Sequence, residues 1–265
     1  MNSNQGMMKR KFLAVILLAA FVSLACTTRV SEWVLLNSAA HQYSLIYFHN
    51  GSVSESVKKH NQRLAEGIST SNIQFKSVRT QEIAEPYYGL YYEGRFFSKY
   101  KTVDDLRGLA SSPLREKVAA ELMVGKLCVM LFLKTDNKEK DEKGLNTLRS
   151  AIESSPFGKI ITVLELSRNS KEEHHFASLL LNVEDDLKDI QEPMLFGIFG
   201  RFKALEPLLG RGITEENIHL MIDYFTAECS CLIKDDLPGT DILSPDQWEN
   251  PQTALLNKII DDNPS

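Results

Sequence analysis

The chain has 265 residues, 43% of them hydrophobic and 25% charged, with 30 basic and 35 acidic side chains for a net charge of −5. That length holds one large domain or two of about 100–120 residues each, and the composition excludes wholesale disorder. A mildly acidic chain with no block of Lys or Arg excludes nucleic acid as a partner on charge.

Residues 1–25 read as a signal peptide. Lys9, Arg10 and Lys11 make a basic start, and 12–25 is a fourteen-residue apolar run. A membrane span needs about 20 residues, so the run fits a secretory core better. Ser23 and Ala25 place small residues at −3 and −1 of a cut before Cys26. "SLAC", 23–26, also resembles a bacterial lipobox, with Ser23 standing where Leu is usual. The resemblance implies acylation of Cys26, export, and a membrane anchor on the periplasmic or extracellular side of a bacterial envelope. The rival reading is a plain exported protein with a surface thiol near its start. Cleavage takes the basic count from 30 to 27 against 35 acidic residues, a net of −8.

Residues 26–42 read as a tether with a local apolar patch, "VSEWVLL". "YSLIYF", 43–48, is an apolar run suited to a buried strand. Val57, Leu64 and Ile68 share one face of a helix expected over 53–66. "NIQFKSV", 72–78, alternates as a half-buried strand. After Glu85-Pro86 come the strand "YYGLYY", the two-residue turn Glu93-Gly94 and the return strand "RFFSKYK". Thr102 and Asp105 form a capping box that opens a helix to about Ala110. Ser112-Pro113 starts a second helix that runs to Gly125 and is a candidate bridge between two halves.

The pattern then restarts. A strand is expected over 126–134, a helix over 138–154, a strand over 159–166 and a helix over 171–187. Glu192-Pro193, "MLFGIF", the turn Gly200-Arg201 and "FKALEPLL" follow. Thr214 caps a last helix with Ile218, Met221, Ile222 and Phe225 on one face. The tail from 232 reads as irregular structure, ending in a short helix over 252–261.

"EPYYGLYYEGRFF", 85–97, thus returns as "EPMLFGIFGRFKA", 192–204. Each half runs strand, helix, strand, optional helix, Pro, strand, tight turn, strand, helix. This order resembles the thioredoxin fold, with only a turn of the middle helix, at 79–84, in the first half. The resemblance implies an α/β chain of two tandem thioredoxin-like domains, 43–125 and 126–231, followed by an irregular tail, 232–265. It also implies cis-prolines at Pro86 and Pro193; the alternative is a trans Pro opening an edge strand. Strands apolar on both faces further predict helices on both sides of each sheet. The stretches "KALEPLLGRGITEENI" and "CSCLIKDDLPGTDIL" are similar to those of a group of uncharacterised bacterial lipoproteins, which brings no activity with it.

Thioredoxin-type enzymes carry Cys-x-x-Cys between the first strand and its helix, where the helix N-terminus lowers the thiol pKa. Here those places read "FHNGSVSES" and "KTDNKEKD", without a cysteine. The expectation is therefore a binding or scaffolding module with a protein partner, no catalytic residue and no cofactor or metal. The rival is a thiol-disulfide oxidoreductase or soft-metal protein working through Cys229-Ser230-Cys231; a structural role is the third reading of that motif. Cys128, mid-strand, is expected to be buried. His49 ends the first strand where an active site would open. His174 and His175 read as a solvated helix face, and Asp235, Asp236 and Asp241 as a plain turn whose spacing does not match an EF-hand. Tyr87, Tyr88, Tyr91, Tyr92, Phe96 and Phe97 alternate between hairpin faces, some in a core and a few as a partner patch.

Overall fold

The structure is a computed structural model that describes residues 29–38, 40–135, 137–227 and 237–245. Cys26, Cys229, Cys231, Asp235, Asp236, the signal peptide and the helix expected over 252–261 lie outside the described residues.

The segment read as a tether is instead helix α1 (Val30–Asn37), with Val30, Val34 and Leu35 buried. It does not join the unit that follows it. The first sheet comprises β1 (Tyr43–His49), β2 (Ile73–Arg79), β3 (Tyr87–Tyr92) and β4 (Arg95–Tyr100), in the order β2-β1-β3-β4. Helix α2 (Glu55–Gly67) joins β1 to the parallel β2; Ser54 accepts the Val57 N–H at its N-terminus. The β3–β4 turn needs two residues of left-handed backbone, and Glu93 (φ 48°) and Gly94 (φ 77°) supply them.

The box at Thr102 and Asp105 forms as expected, with the Thr102 N–H donating to Asp105 Oδ2 at 2.9 Å. It yields a single 3-10 turn over Asp104–Leu106, and Arg107 already swings to extended backbone. Gly108 follows in the left-handed region (φ 80°), and beyond the break Arg115 takes the Leu109 carbonyl at 2.5 Å, with the Gly108 carbonyl 3.4 Å from its Nη2.

Helix α3 (Pro113–Met123) leads to β5 (Cys128–Lys134), α4 (Lys138–Ser154) and β6 (Ile161–Ser167). Helix α5 is only His174–Leu180, shorter than the 171–187 expected, and β7 (Met194–Phe199) follows. Past the turn come β8 (Lys203–Ala204), β9 (Leu208–Leu209), α6 (Glu215–Thr226) and, in the tail, β10 (Thr240–Asp241). The second sheet has the order β10-β8-β7-β5-β6, with β9 beside β7.

Both sheets place a parallel strand on one side of the first strand and an antiparallel one on the other. The registers agree residue for residue. Tyr43 opposes Ile73 as Cys128 opposes Ile161, and Phe48 opposes Tyr87 as Leu133 opposes Met194. The protein is thus α/β with two mixed sheets flanked by helices.

The helices are shared unequally. In the second sheet, Cys128, Met130 and Phe132 pack under α1, α4 and α6. Val129, Leu131 and Leu133 pack on the other side under α3 and α5. So α1 and α3, both earlier in the chain than residue 126, complete the second unit and overturn its expected boundary. Docking of α1 has a specific cause. The last carbonyls of a helix have no partner of their own; Val30 N–H reaches Ala227 O at 3.0 Å and Ser31 Oγ reaches Phe225 O at 3.1 Å, at the end of α6.

Among the described residues, the first sheet forms an apolar core on one face. Tyr43, Leu45, Tyr47, Tyr88 and Leu90 form a core with Ile68, Leu106 and Leu109. On its other face no described helix packs, since no helix forms at 79–84 and α3 belongs to the second unit's core.

Candidate functional site

Three places were open to chemistry: the two loops that follow β1 and β5, and the face of the first sheet turned away from its core. In the first loop His49 Nδ1 lies 2.7 Å from Gly51 O, and its ring stacks on Tyr47 at 5.7 Å. Asn50 Nδ2 donates to the carbonyls of Ile83 and Ala84 at 3.2 and 3.1 Å, tying the loop to the segment before Pro86. In the second, buried Asp141 accepts from the Thr135 N–H at 2.9 Å and from its hydroxyl at 3.1 Å. Asn137 caps α4 by accepting from Lys140 N, and Lys140 Nζ pairs with Glu192 Oε1 at 2.5 Å. Both loops are held by polar side chains, and among their described residues neither holds a thiol.

The prolines after these loops correct one expectation. No cis peptide occurs among the described residues, so Pro86 and Pro193 are trans. Each sits one residue before its strand, where the ladder asks no N–H of it. Neither strand is an edge: β3 and β7 are both central. The Pro193 carbonyl accepts from Gly210 N at 2.9 Å, which fixes the entry to β7.

Cys128 lies fully buried in β5, and burial pushes its thiol well above the ordinary range. A thiol held neutral is no nucleophile. The histidine pair also departs from expectation. His174 is exposed and its Nδ1 lies 2.8 Å from Lys171 O, but His175 is buried, with Nε2 3.0 Å from the Asp105 carbonyl and its ring edge-on to Tyr100. Burial and the neighbouring His174 lower its pKa to about 4, so the ring is neutral. The two rings stand 3.8 Å apart, closer than adjacent helical positions imply.

Asp241 is no calcium ligand in waiting. It is 2% exposed, pairs with Lys203 Nζ at 3.2 Å, and accepts from the His41 N–H at 3.2 Å. Tyr43 donates its hydroxyl to the Asp241 carbonyl at 3.1 Å. The tail thus knits β8 of one sheet to β1 of the other. Among the described residues there is no group of three or more His, Cys, Asp or Glu that could hold a metal.

A polar seam between the units escaped the sequence reading. Ser112 does not cap α3 with its own hydroxyl; Glu173, from the segment before α5, does so with its carboxylate. Glu173 Oε1 accepts from the Leu114 N–H at 2.7 Å and Oε2 from Ser112 Oγ at 2.5 Å. Beside it lies Arg115, fully buried, its guanidinium 5.3 Å from the Phe176 ring. Desolvation lowers the Arg115 pKa to about 10 against the opposing pull of Glu173. Nothing in local spacing announces a cap supplied from 59 positions away.

The face of the first sheet turned away from its core carries a cluster of rings. Ser44, Ile46 and Phe48 of β1 line up with Tyr91, Gly89 and Tyr87 of β3, and Lys99 and Phe96 of β4 flank them. Phe48 packs on Tyr87 at 5.1 Å, Tyr91 meets Phe96 edge-on at 5.5 Å, and Lys99 Nζ sits 4.2 Å over the Tyr87 ring. The rings of Tyr91 and Phe48 lie over Gly89, whose missing side chain makes room for them. Phe96 is 56% exposed. The matching positions of the second sheet are Val129, Leu131, Leu133, Met194, Phe196 and Ile198, every one fully buried. Of the hairpin aromatics, Tyr88, Tyr92 and Phe97 therefore face the core while Tyr87, Tyr91 and Phe96 face outward.

Among the described residues no helix is long and apolar enough to cross a membrane. No family model matches the chain, and no curated protein matches it.

Proposed function

We propose that the chain is an exported, lipid-anchored protein whose two units are redox-inactive thioredoxin-like domains serving as a binding or scaffolding module. The observation that carries this is the pair of loops after β1 and β5. They occupy the place where thioredoxin-type enzymes keep their thiol pair, and they hold His49–Asn50–Gly51 and Thr135 to Asp141 in closed polar networks instead. The congruent registers of the two sheets support the tandem reading. Export and acylation rest on the sequence of residues 9–26. A fold stripped of its reactive centre retains surface and rigidity, which is what a partner-binding module uses.

Two measurements test the proposal. Mass spectrometry of the protein from a bacterial envelope fraction is expected to show a mature N-terminus at Cys26 carrying acyl chains; an intact residue 1 there removes the export reading. In an insulin-reduction assay with dithiothreitol as electron source, the protein is expected to add nothing to the dithiothreitol rate. An acceleration that disappears in a C229S/C231S variant defeats the non-catalytic reading in favour of the Cys229-Ser230-Cys231 thiols.

A further inference from the structure

We propose that the seam between the two units is a binding site for an extended peptide segment of a partner protein, acidic and then aliphatic in sequence, and that the chain's own residues 239–245 fill it in the manner of such a ligand. The reading rests on the binding-module assignment and names its site. Consecutive residues of the segment enter different cores: Ile242 joins the apolar cluster of the second unit and Leu243 that of the first. Residues 241–245 are all buried. The segment is thus held as a bound peptide is, between two surfaces, with successive side chains pointing to opposite sides.

Most of the grip is on its main chain. The Ile242 N–H donates to the Phe202 carbonyl at 3.0 Å, and Tyr43 donates its hydroxyl to the Asp241 carbonyl at 3.1 Å. Asn72 is a two-sided clamp: its Nδ2 donates to the Ile242 carbonyl at 3.4 Å, and its Oδ1 accepts from the Ser244 N–H at 2.7 Å. Ser71 Oγ donates to the Pro245 carbonyl at 3.3 Å. Tyr43, Ser71 and Asn72 are themselves buried. Side chains add selectivity. Buried Lys203 pairs with Asp241 at 3.2 Å and donates to the Gly239 carbonyl at 3.3 Å. Gly239 has φ 107°, and a Cβ there would stand 2.8 Å from the Ala204 carbonyl oxygen. The preferred ligand therefore reads Gly-x-Asp-aliphatic-aliphatic-Ser.

Position makes the segment exchangeable. In the second sheet β10 lies at the edge, and it pairs with β8 over two residues. An edge strand can leave and another take its place with no interior ladder opened. Its departure takes from Asn72 and Lys203 the partners named above, inside a seam where unmet polar groups are costly. Refilling by a segment of like chemistry is thereby favoured.

The test uses the full chain and a labelled synthetic peptide of residues 238–245, "PGTDILSP". In the variant Ile242→Ser/Leu243→Ser the segment loses its hold on both cores while every groove residue stays. By fluorescence anisotropy this variant is expected to bind the peptide about ten-fold or more tighter than the wild type does. The peptide is expected to raise the melting temperature of the variant alone. Peptides carrying Asp241→Lys or Ile242→Ser/Leu243→Ser are expected to bind about ten-fold more weakly. A further measurement needs no substitution: in wild-type hydrogen exchange, the amides of Ile242 and Ser244 are expected to exchange ahead of Leu131 in β5, by local release. Exchange of these amides no faster than Leu131, or a variant that no concentration of peptide restores, makes the segment a permanent part of the fold and overturns the proposal. Equal rescue by a peptide of scrambled order, or equal binding to wild type and variant, puts the peptide elsewhere and overturns it too. A wild type that dimerises by exchanging this segment makes the occupant a second copy, which also overturns it. Each of these failures leaves the non-catalytic reading standing, because the insulin assay does not touch this groove.

Discussion

Replacing Glu173 tests whether the seam between the units is held by charge or by shape. Its carboxylate accepts from Leu114 N at 2.7 Å and from Ser112 Oγ at 2.5 Å, and its charge acts favourably on the fully buried Arg115. Hydrogen bonds to a charged group contribute about 1.5–3 kcal/mol each, so Glu173→Ala is expected to cost about 3–5 kcal/mol. Part of that loss is the helix cap, which alone is worth about 1–2 kcal/mol. Glu173→Gln keeps the volume and one acceptor for Leu114 N–H but removes the charge beside Arg115; its expected cost is about 1.5–3 kcal/mol. The assay is urea denaturation at pH 7, followed by far-UV circular dichroism and tryptophan emission together. Because α3 carries the seam into the second core, both signals are expected to move to lower urea together in each variant. If Glu173→Gln unfolds at the wild-type midpoint while Glu173→Ala does not, charge plays no part. If neither moves, the seam is not a stabilising contact at all.

Further predictions follow from the same coordinates. His175 is held neutral by burial and by His174, near the Arg115 cation, against the opposing Asp105 carbonyl. Its pKa of about 4 lies below the unfolded value of 6.5, so the unfolded state binds the extra proton between those pH values and stability falls as pH drops through them. After discounting for solvent screening the loss is roughly 2 kcal/mol, and His175→Gln is expected to flatten that part of the stability–pH curve measured by urea titration. Gly200→Ala forces a left-handed residue (φ 54°) and puts a methyl 2.3 Å from Val34 Cγ1; thermal melts should show a loss of about 1–3 kcal/mol. Adding Val34→Ala should cost less in that background than alone, a coupling a double-mutant cycle measures. Gly197→Ala would set its methyl 2.6 Å from Phe225 Cζ and 2.8 Å from Met221 Sδ, pushing α6 off the sheet at about 1–3 kcal/mol in the same melts.

The succession of strands along each half and the first Pro-led hairpin were readable because each is written locally; the second return strand broke into β8 and β9, and β10 in the tail was missed. Val129 to Leu133 has no polar residue to spare for a solvent face, and Glu93-Gly94 leaves room for nothing but a tight turn. Helix ends were readable where a side chain caps its own backbone, as at Ser54, Asn137 and Thr214. They were misread where the decisive group came from elsewhere. The helix after Thr102 breaks at Arg107, just before carbonyls that Arg115 binds from downstream, and the helix expected over 171–187 begins only at His174, after Glu173 has turned to cap α3.

The larger misreading was one of ownership. The segment of α1 reads as a tether in the sequence, and chain order assigns α3 to the first unit, whereas both pack on the second sheet. What decides it is a local demand at the receiving end, the open carbonyls of Phe225 and Ala227 for α1 and the carboxylate of Glu173 for α3. The same accounting explains why the aromatic face was only half legible. Alternation in "YYGLYYEGRFF" shows that rings point both ways from the hairpin, yet identical residue types serve as core at Tyr88 and as surface at Tyr87. Only the helices available to each sheet separate them: with α3 spent on the second sheet and no middle helix at 79–84, none of the described helices supplies a core to the Tyr87 side.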